Sequence, residues 1–439
     1  MKYGARFLAT QVISQFEKRN AQLSLIRNEI FSHFSSDTKS KSRANILIME
    51  VIRFKSRLDL MIEFISGRSI NHLDVSLLSI LRISFYEIII ETKIPNYAAV
   101  DSSVRITRII LSSKASGFTN AVLRNLVRKK EEDNKWYYPL KEKNGWHSIP
   151  HWLEKRWVKQ FGKKGFLDLV KAINKPAENF VRVDCDRLSI NDIIINLSNV
   201  GIQSKLFLRN LLKVRASAGD ILKTSLFRKG EISIQNPAAS IVVDAIGIRP
   251  DDIVLDVCAG LGTKTLQLSN LVGPKGYVWA SDLIKDRIKR GKSDLKRHKK
   301  NNIDWSIKDA RKDFYPKADR ILIDAPCTGT GVIARKPDIR WRRKPRDIYK
   351  LSSLQFEILS HCSQFLKSGG TMVYSTCSME KEENWSVIEQ FINLNHDFVV
   401  EQMPSIIPKN WIDNNGALRT LPHIHNIDGM FAVRLKRLL

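Results

Sequence analysis

A short apolar run that ends in an acid and is broken at once by proline and cysteine, residues 321–331 (ILIDAPCTGTG), constrains this chain more than any other stretch. Ile321, Leu322, Ile323 and Asp324 have the character of a strand buried in a parallel sheet. Ala-Pro-Cys ends the strand, and Thr-Gly-Thr-Gly then predicts a loop free to lie against a planar ligand. An acid, a proline and the thiol of Cys327 therefore stand at the carboxyl end of a central strand, where open α/β sheets hold their ligands. Residues 371–378 (TMVYSTCS) repeat the setting: another short strand, ending at the thiol of Cys377.

The flanking pattern supplies the rest of such a sheet. Strands over 253–257, 277–282, 303–307, 321–324 and 371–375 alternate with helices, which predicts a Rossmann-like, doubly wound, mostly parallel α/β domain over 230–439. Its first strand runs into a tight loop and a helix, DVCAGLGTKT, where Gly260 and Gly262 let the backbone approach a ligand at the helix N-terminus. A pyrophosphate-binding G-x-G-x-x-G is absent, because Thr265 occupies the third glycine's place. Asp256 opens the loop, and an acid there suits an amine-bearing ligand, such as the methionine part of S-adenosylmethionine. Lys264 is placed to meet that ligand's carboxylate or to hold the loop. Asp282 ends the second strand, where nucleoside-binding folds place the acceptor for ribose hydroxyls, and Asp309 follows the third, as an acceptor for an adenine amino group. One strand-end Asp is as readily a helix cap, but Asp256, Asp282, Asp309 and Asp324 in succession point to a nucleoside cofactor. The predicted cofactor residues are Cys258, Ala259, Gly260, Leu261, Gly262, Thr263, Lys264, Asp282, Asp309 and Asp324.

Amino-group methyltransferases place Asn/Asp-Pro-Pro-aromatic after the fourth strand. This chain has Asp324-Ala-Pro-Cys327, a nucleophile where the stacking ring would be. Methylation of a pyrimidine carbon needs a thiol: carbon 5 of cytosine becomes nucleophilic only after a thiolate adds to carbon 6. Asp324 is placed as the acid or hydrogen-bond partner at N3. With two thiols, one can attack while the other assists release. Cys362 falls on the apolar side of a helix and reads as core. In Cys258 the backbone matters more than the sulfur.

Residues 1–130 read as all helical, with a basic face that includes Arg105, Arg124 and Arg128, and 131–229 as a connector and a small α/β subdomain. Aromatics over 136–157 are expected to pack one domain on the next. The formal charge is +27 and the pI about 9.9, the balance of a polyanion binder. Arg335, Lys336, Arg340, Trp341, Arg342 and Arg343 follow the Pro-Cys loop and are read as RNA contacts. Five cysteines without paired spacing indicate neither a disulfide framework nor a metal site. They suit a cytoplasmic protein, as does a start lacking an apolar leader. The most apolar segment, 73–90, carries Asp74, Arg82 and Glu87 and reads as a buried helix, not a membrane span.

Two resemblances sharpen these expectations. Residues 49–128, with LLSILRISFYEIII, KIPNYAAVDSSVRI and GFTNAVLRNLVR, resemble the NusB-type helical RNA-binding domain. DVCAGLGTKT, KDAR, DAPCTGTGVIARKPDIRW, YSTCSMEKEEN and DGMFAVRLKR resemble the RNA (cytosine-5)-methyltransferase family, and the two together resemble its 16S rRNA branch. That resemblance implies S-adenosylmethionine as cofactor and 16S rRNA as partner. It also implies Cys377 as nucleophile, Cys327 in product release, and a monomer without metal. The family's usual loop is Cys-Ala-Ala-Pro-Gly-Gly-Lys; here Leu261 and Thr263 depart from it. The alternatives are a tRNA methyltransferase on the same core and an RNA-binding assembly factor with an inactive methyltransferase fold.

Overall fold

The computed structural model describes residues 3–439, which form two compact units. The first comprises residues 3–174 together with 336–343, and the second 175–335 with 344–439.

The first unit is built of helices. Ala5–Lys18, Thr38–Arg53, Lys55–Ser66, Val75–Phe85, Asn96–Ile110 and Ser113–Glu132 enclose a core that includes Leu8, Val12, Leu47, Ile62, Leu81 and Leu123. The charges in the apolar segment are all accounted for. Asp74 caps its helix by accepting from the amides of Ser76 and Leu77. Arg82 is clamped by Asp59 at 2.6 and 2.9 Å, and Glu87 accepts from Arg6 and Arg43. Among the described residues no helix is long and apolar enough to cross a membrane. The helix Ser113–Glu132 runs through the expected boundary at 130, and the unit continues to Asn174. Trp136 and Trp146 are buried in its core and Tyr137 packs against it, so these aromatics close the helical unit itself.

In the second unit β1 (Asn179–Val183), β2 (Gln203–Leu208), β3 (Leu211–Arg215) and β4 (Ile232–Ile234) form an antiparallel sheet of order β2-β3-β1-β4. β4 lies beyond the expected boundary at 229, so that boundary cuts the small sheet. The large sheet contains β5 (Ile253–Asp256), β6 (Tyr277–Asp282), β7 (Ile303–Ile307), β8 (Ala318–Asp324), β9 (Leu366–Thr376), β10 (Phe398–Val400), β11 (Leu418–Thr420) and β12 (Met430–Arg437). Its order is β10-β12-β9-β8-β5-β6-β7, with β11 on β12. β5 through β9 pair in parallel and β12 runs antiparallel to β9. The strand order reverses between β5 and β8, with β6 and β7 on one side and β9 on the other, which makes the carboxyl ends of these parallel neighbours the switch point where such sheets bind ligands. β8 lies between β5 and β9.

A buried polar net fixes the sheets to each other. Gln235 accepts from Arg182 at 2.6 Å and donates to Gln267 at 2.9 Å, and Ser240 donates to the same Gln267 oxygen. Gln267 lies on the helix Thr263–Leu271 that follows the cofactor loop, so the small sheet braces that loop from behind.

Candidate active site

At the switch point β5 delivers Asp256, with its side chain buried. One carboxylate oxygen accepts from Thr265 Oγ1 at 2.6 Å, which explains why threonine replaces the third glycine. The other oxygen, Oδ1, is buried without a partner. Burial pushes the Asp256 pKa up to about 7. A group more basic when folded than when unfolded stabilises the fold fully below its unfolded value. That stabilisation is lost as pH rises through its folded value. Melting temperature should therefore fall between about pH 4 and 7, and Asp256→Asn should flatten that slope. Equal slopes in the two proteins would contradict the assignment.

The loop after β5 turns through Gly260 and Gly262, both at positive φ. A Cβ on Gly262 would lie 2.9 Å from the Trp305 ring, so only glycine fits. Asp282 at the end of β6 accepts from the Gly260 amide at 3.0 Å and the Ile284 amide at 2.8 Å, tying the loop to the next strand. Ala259 donates to Ser281 O, and burial pushes the Cys258 thiol well up, in keeping with a structural role for its sulfur. Leu261 is exposed and Thr263 begins the helix. Both carboxylate oxygens of Asp309 accept from the Arg311 guanidinium, at 3.0 and 2.7 Å, and this holds its carboxyl down at about 2.

Asp324, in register with Ser375 on β9, accepts from Lys264 Nζ at 2.6 Å and from Ser375 Oγ at 3.1 Å. Burial opposes the charge on Lys264, but the Asp324 carboxylate outweighs it and the lysine pKa is raised. Beside this pair the Cys327 and Cys377 sulfurs stand 3.2 Å apart. The contact with Cys377, followed by burial, keeps the Cys327 thiol well above its ordinary value. Cys362 is buried and its thiol donates to Ala310 O at 3.3 Å.

The Thr-Gly-Thr-Gly loop is held more firmly than the sequence suggests. Gly331 donates to Cys377 O at 2.9 Å and accepts from the Gly429 amide at 2.8 Å. A Cβ on Gly331 would lie 2.3 Å from Gly429 O. The glycine serves a backbone crossing, and no planar ligand is needed to account for it. Sequence reasoning also passed over Glu383, in the same run as Cys377. It is buried and accepts from the Thr328 amide at 2.7 Å.

The basic stretch after this loop is largely spoken for. Arg335 donates to Asp428 at 2.6 Å and to Glu178 O at 2.6 Å. Residues 336–343 belong to the helical unit. There Arg340 is fully buried, its Nη1 donating to Arg53 O, Ser148 O and Asn174 Oδ1 at 2.7–3.1 Å. Burial brings its pKa down to about 9. Trp341 packs on the helical core and donates to Ile52 O, and Arg342 donates to Asp338 at 2.8 Å. The expectation of RNA contact is corrected for Arg340 and Trp341: the Arg340 guanidinium is enclosed in the unit, with Nη1 committed to two backbone carbonyls and the Asn174 side chain, and the Trp341 indole N–H is committed to Ile52 O. Lys336 is exposed and Arg343 half-buried.

The 16S rRNA methyltransferase RsmB/F family matches residues 243–436, and the NusB family matches residues 4–128. A ribosomal RNA small subunit methyltransferase B of Escherichia coli O6:K15:H31 is 30% identical over 409 residues, covering 89% of this chain and 90% of its own. This chain belongs to the RsmB/F family of rRNA methyltransferases. A probable ribosomal RNA small subunit methyltransferase B of Bacillus subtilis is 29% identical over 451 residues and covers 99% of both chains. The crystal structure of PH0851, 24% identical, covers 100% of both chains at a TM-score of 0.78 and shares the fold. RsmB/F membership favours rRNA over the tRNA alternative, and the NusB match accounts for the helical unit.

Proposed function

We propose that this chain methylates carbon 5 of a cytosine in 16S rRNA, with S-adenosylmethionine as methyl donor and Cys377 as the covalent nucleophile. The observation that carries this reading is the pair of thiols 3.2 Å apart beside the Lys264–Asp324 ion pair at the sheet's switch point.

The residues around β5 fit the cofactor. The free Oδ1 of Asp256 suits its ammonium group, Gly260 and Gly262 leave room for backbone approach, and Asp282 and Asp309 suit ribose and adenine. Bound there, S-adenosylmethionine supplies an electrophilic methyl group. Cys377 attacks carbon 6, and Cys327, kept protonated, donates to its neighbour's sulfur and so favours Cys377 as the thiolate. Asp324, fed by Lys264, assists at N3. Once the Cys377 sulfur is bonded to carbon 6 its charge is spent, and the main cause raising the Cys327 pKa is gone. Cys327 then yields its proton to solvent and as thiolate takes the proton from carbon 5. The C–H electron pair becomes the ring double bond, the C6–S pair returns to Cys377, and methylated cytosine leaves.

RNA reaches beyond the reacting base. In the helical unit a cavity of about 1260 Å³ is lined by Tyr97, which is 77% exposed, and by Arg105, Arg124 and Arg128. An aromatic ring among arginines suits stacking and phosphate contact. Lys336 and Arg343, which belong to the same unit, remain candidate contacts. The reading places the protein in the cytoplasm, with its substrate. The test is nucleoside analysis of 16S rRNA transcript incubated with the full chain and S-adenosylmethionine. It should show 5-methylcytosine; N4-methylcytosine, or methylation of tRNA alone, would contradict the proposal.

A further inference from the structure

The sequences carrying the two thiols are joined through one buried carboxylate. Glu383 has no solvent exposure. Its Oε1 accepts from the Thr328 amide at 2.7 Å and from Gln355 Nε2 at 3.0 Å. Its Oε2 accepts from the Ser378 hydroxyl at 2.5 Å and from the Thr328 hydroxyl. Thr328 follows Cys327 and Ser378 follows Cys377, and their hydroxyls lie 3.1 Å apart. Gln355 also donates to Pro326 O at 2.9 Å, on the near side of Cys327. The Tyr374 hydroxyl donates to the Glu383 backbone carbonyl at 2.5 Å.

All four donors to the carboxylate are neutral. A buried carboxylate without a cation is an expensive way to join two loops, since an uncharged side chain could pack there with no charge to desolvate. What the carboxylate provides is reach: only two acceptor oxygens on one rigid group satisfy both loops at once. The segments next to Cys327 and Cys377 are thereby held in one fixed relation, and the sulfurs lie 3.2 Å apart.

We infer that Glu383 is a positioning residue that sets Cys327 against Cys377 and thereby controls release of the methylated base from its covalent bond to the enzyme. This rests on the two-thiol reading above. Attack by Cys377 draws on Cys327 only for a hydrogen bond to the thiolate and has Asp324 to assist it at N3. Release needs Cys327 at the right distance as well, so loosening the brace weighs more on release than on attack.

The experiment uses full-length Glu383→Gln with 16S rRNA and S-adenosylmethionine, and separates a single turnover from steady state. First-turnover methylation should stay within about threefold of wild type while steady-state turnover falls roughly tenfold or more. A denaturant-resistant protein–RNA adduct should accumulate and vanish in the Glu383→Gln, Cys377→Ala double variant. Glu383→Asp, which keeps the charge, should recover part of the turnover. Thr328→Val, which loses the hydroxyl on the Cys327 side, should show the same split, and it is the variant to read if Glu383→Gln does not fold. First-turnover and steady-state rates that fall together without adduct would mean a merely structural residue and overturn the inference, as would unchanged turnover. Cys327→Ala run in parallel separates the two failures. Adduct there but none in Glu383→Gln defeats this inference alone; adduct in neither defeats the two-thiol reading.

Discussion

Cys377→Ala is expected to abolish methyl transfer while leaving cofactor affinity within about tenfold, because a distal contact of roughly 1.4 kcal/mol is the most that is removed from that site. The cofactor loop is built by Asp256, Thr265, Asp282 and Gly260, none of which draws on the Cys377 side chain for the bonds that hold it. The nucleophile, by contrast, has no substitute. In the proposed mechanism Cys327 serves the carbon 5 proton and not carbon 6, so it does not inherit the attacking role. Labelled methyl incorporation into 16S rRNA, beside calorimetric titration with S-adenosylmethionine, reads both quantities. Retained incorporation would remove Cys377 from the role proposed for it.

Arg340→Ala is expected to destabilise the helical unit by roughly 3–5 kcal/mol, the range for deleting one member of a buried, charged, hydrogen-bonded set. Its guanidinium gathers the carbonyls of Arg53 and Ser148 and the amide oxygen of Asn174. With alanine these buried acceptors lose their donor and water has little access to replace it. RNA affinity measured well below the unfolding transition should be unchanged, and so should its salt dependence. Weakened RNA binding with a shallower salt slope at unaltered stability would reinstate Arg340 as a phosphate contact.

Arg340 also shows where reading the sequence reaches its limit. A run such as RKPDIRWRRKPR has the composition of an RNA-binding arm, and composition does not reveal which arginines a distant part of the chain will enclose. The carbonyls that enclose Arg340 come from residues 53 and 148. The parallel strands of the large sheet were legible because β5, β6 and β8 are apolar runs ended by an acid and β9 leads straight to a thiol, whereas β10, β11 and β12 carry no such mark; the order β9-β8-β5 places Asp324 and Cys327 beside the cofactor loop. The small sheet was legible in part: β1, β2 and the strand in 230–247 have apolar residues at strand spacing, whereas β3 follows β2 after only two residues and carries Lys213 and Arg215. Gly331 was noticed for a plausible but different reason. Its need for glycine comes from the Gly429 backbone, remote in sequence. Glu383 sits with Glu380 and Glu382 in a charged run, and only the fold shows that Glu380 and Glu383 are buried while Glu382 is half-buried.

The measurement that tests the central claim most directly is a denaturing gel of full-length Cys327→Ala after incubation with 16S rRNA and S-adenosylmethionine. Covalent catalysis by Cys377 with release assisted by Cys327 predicts a slow-migrating protein–RNA adduct, lost when Cys377 is also replaced. An enzyme that turns over normally without Cys327, or an adduct that survives loss of Cys377, would contradict that division of labour.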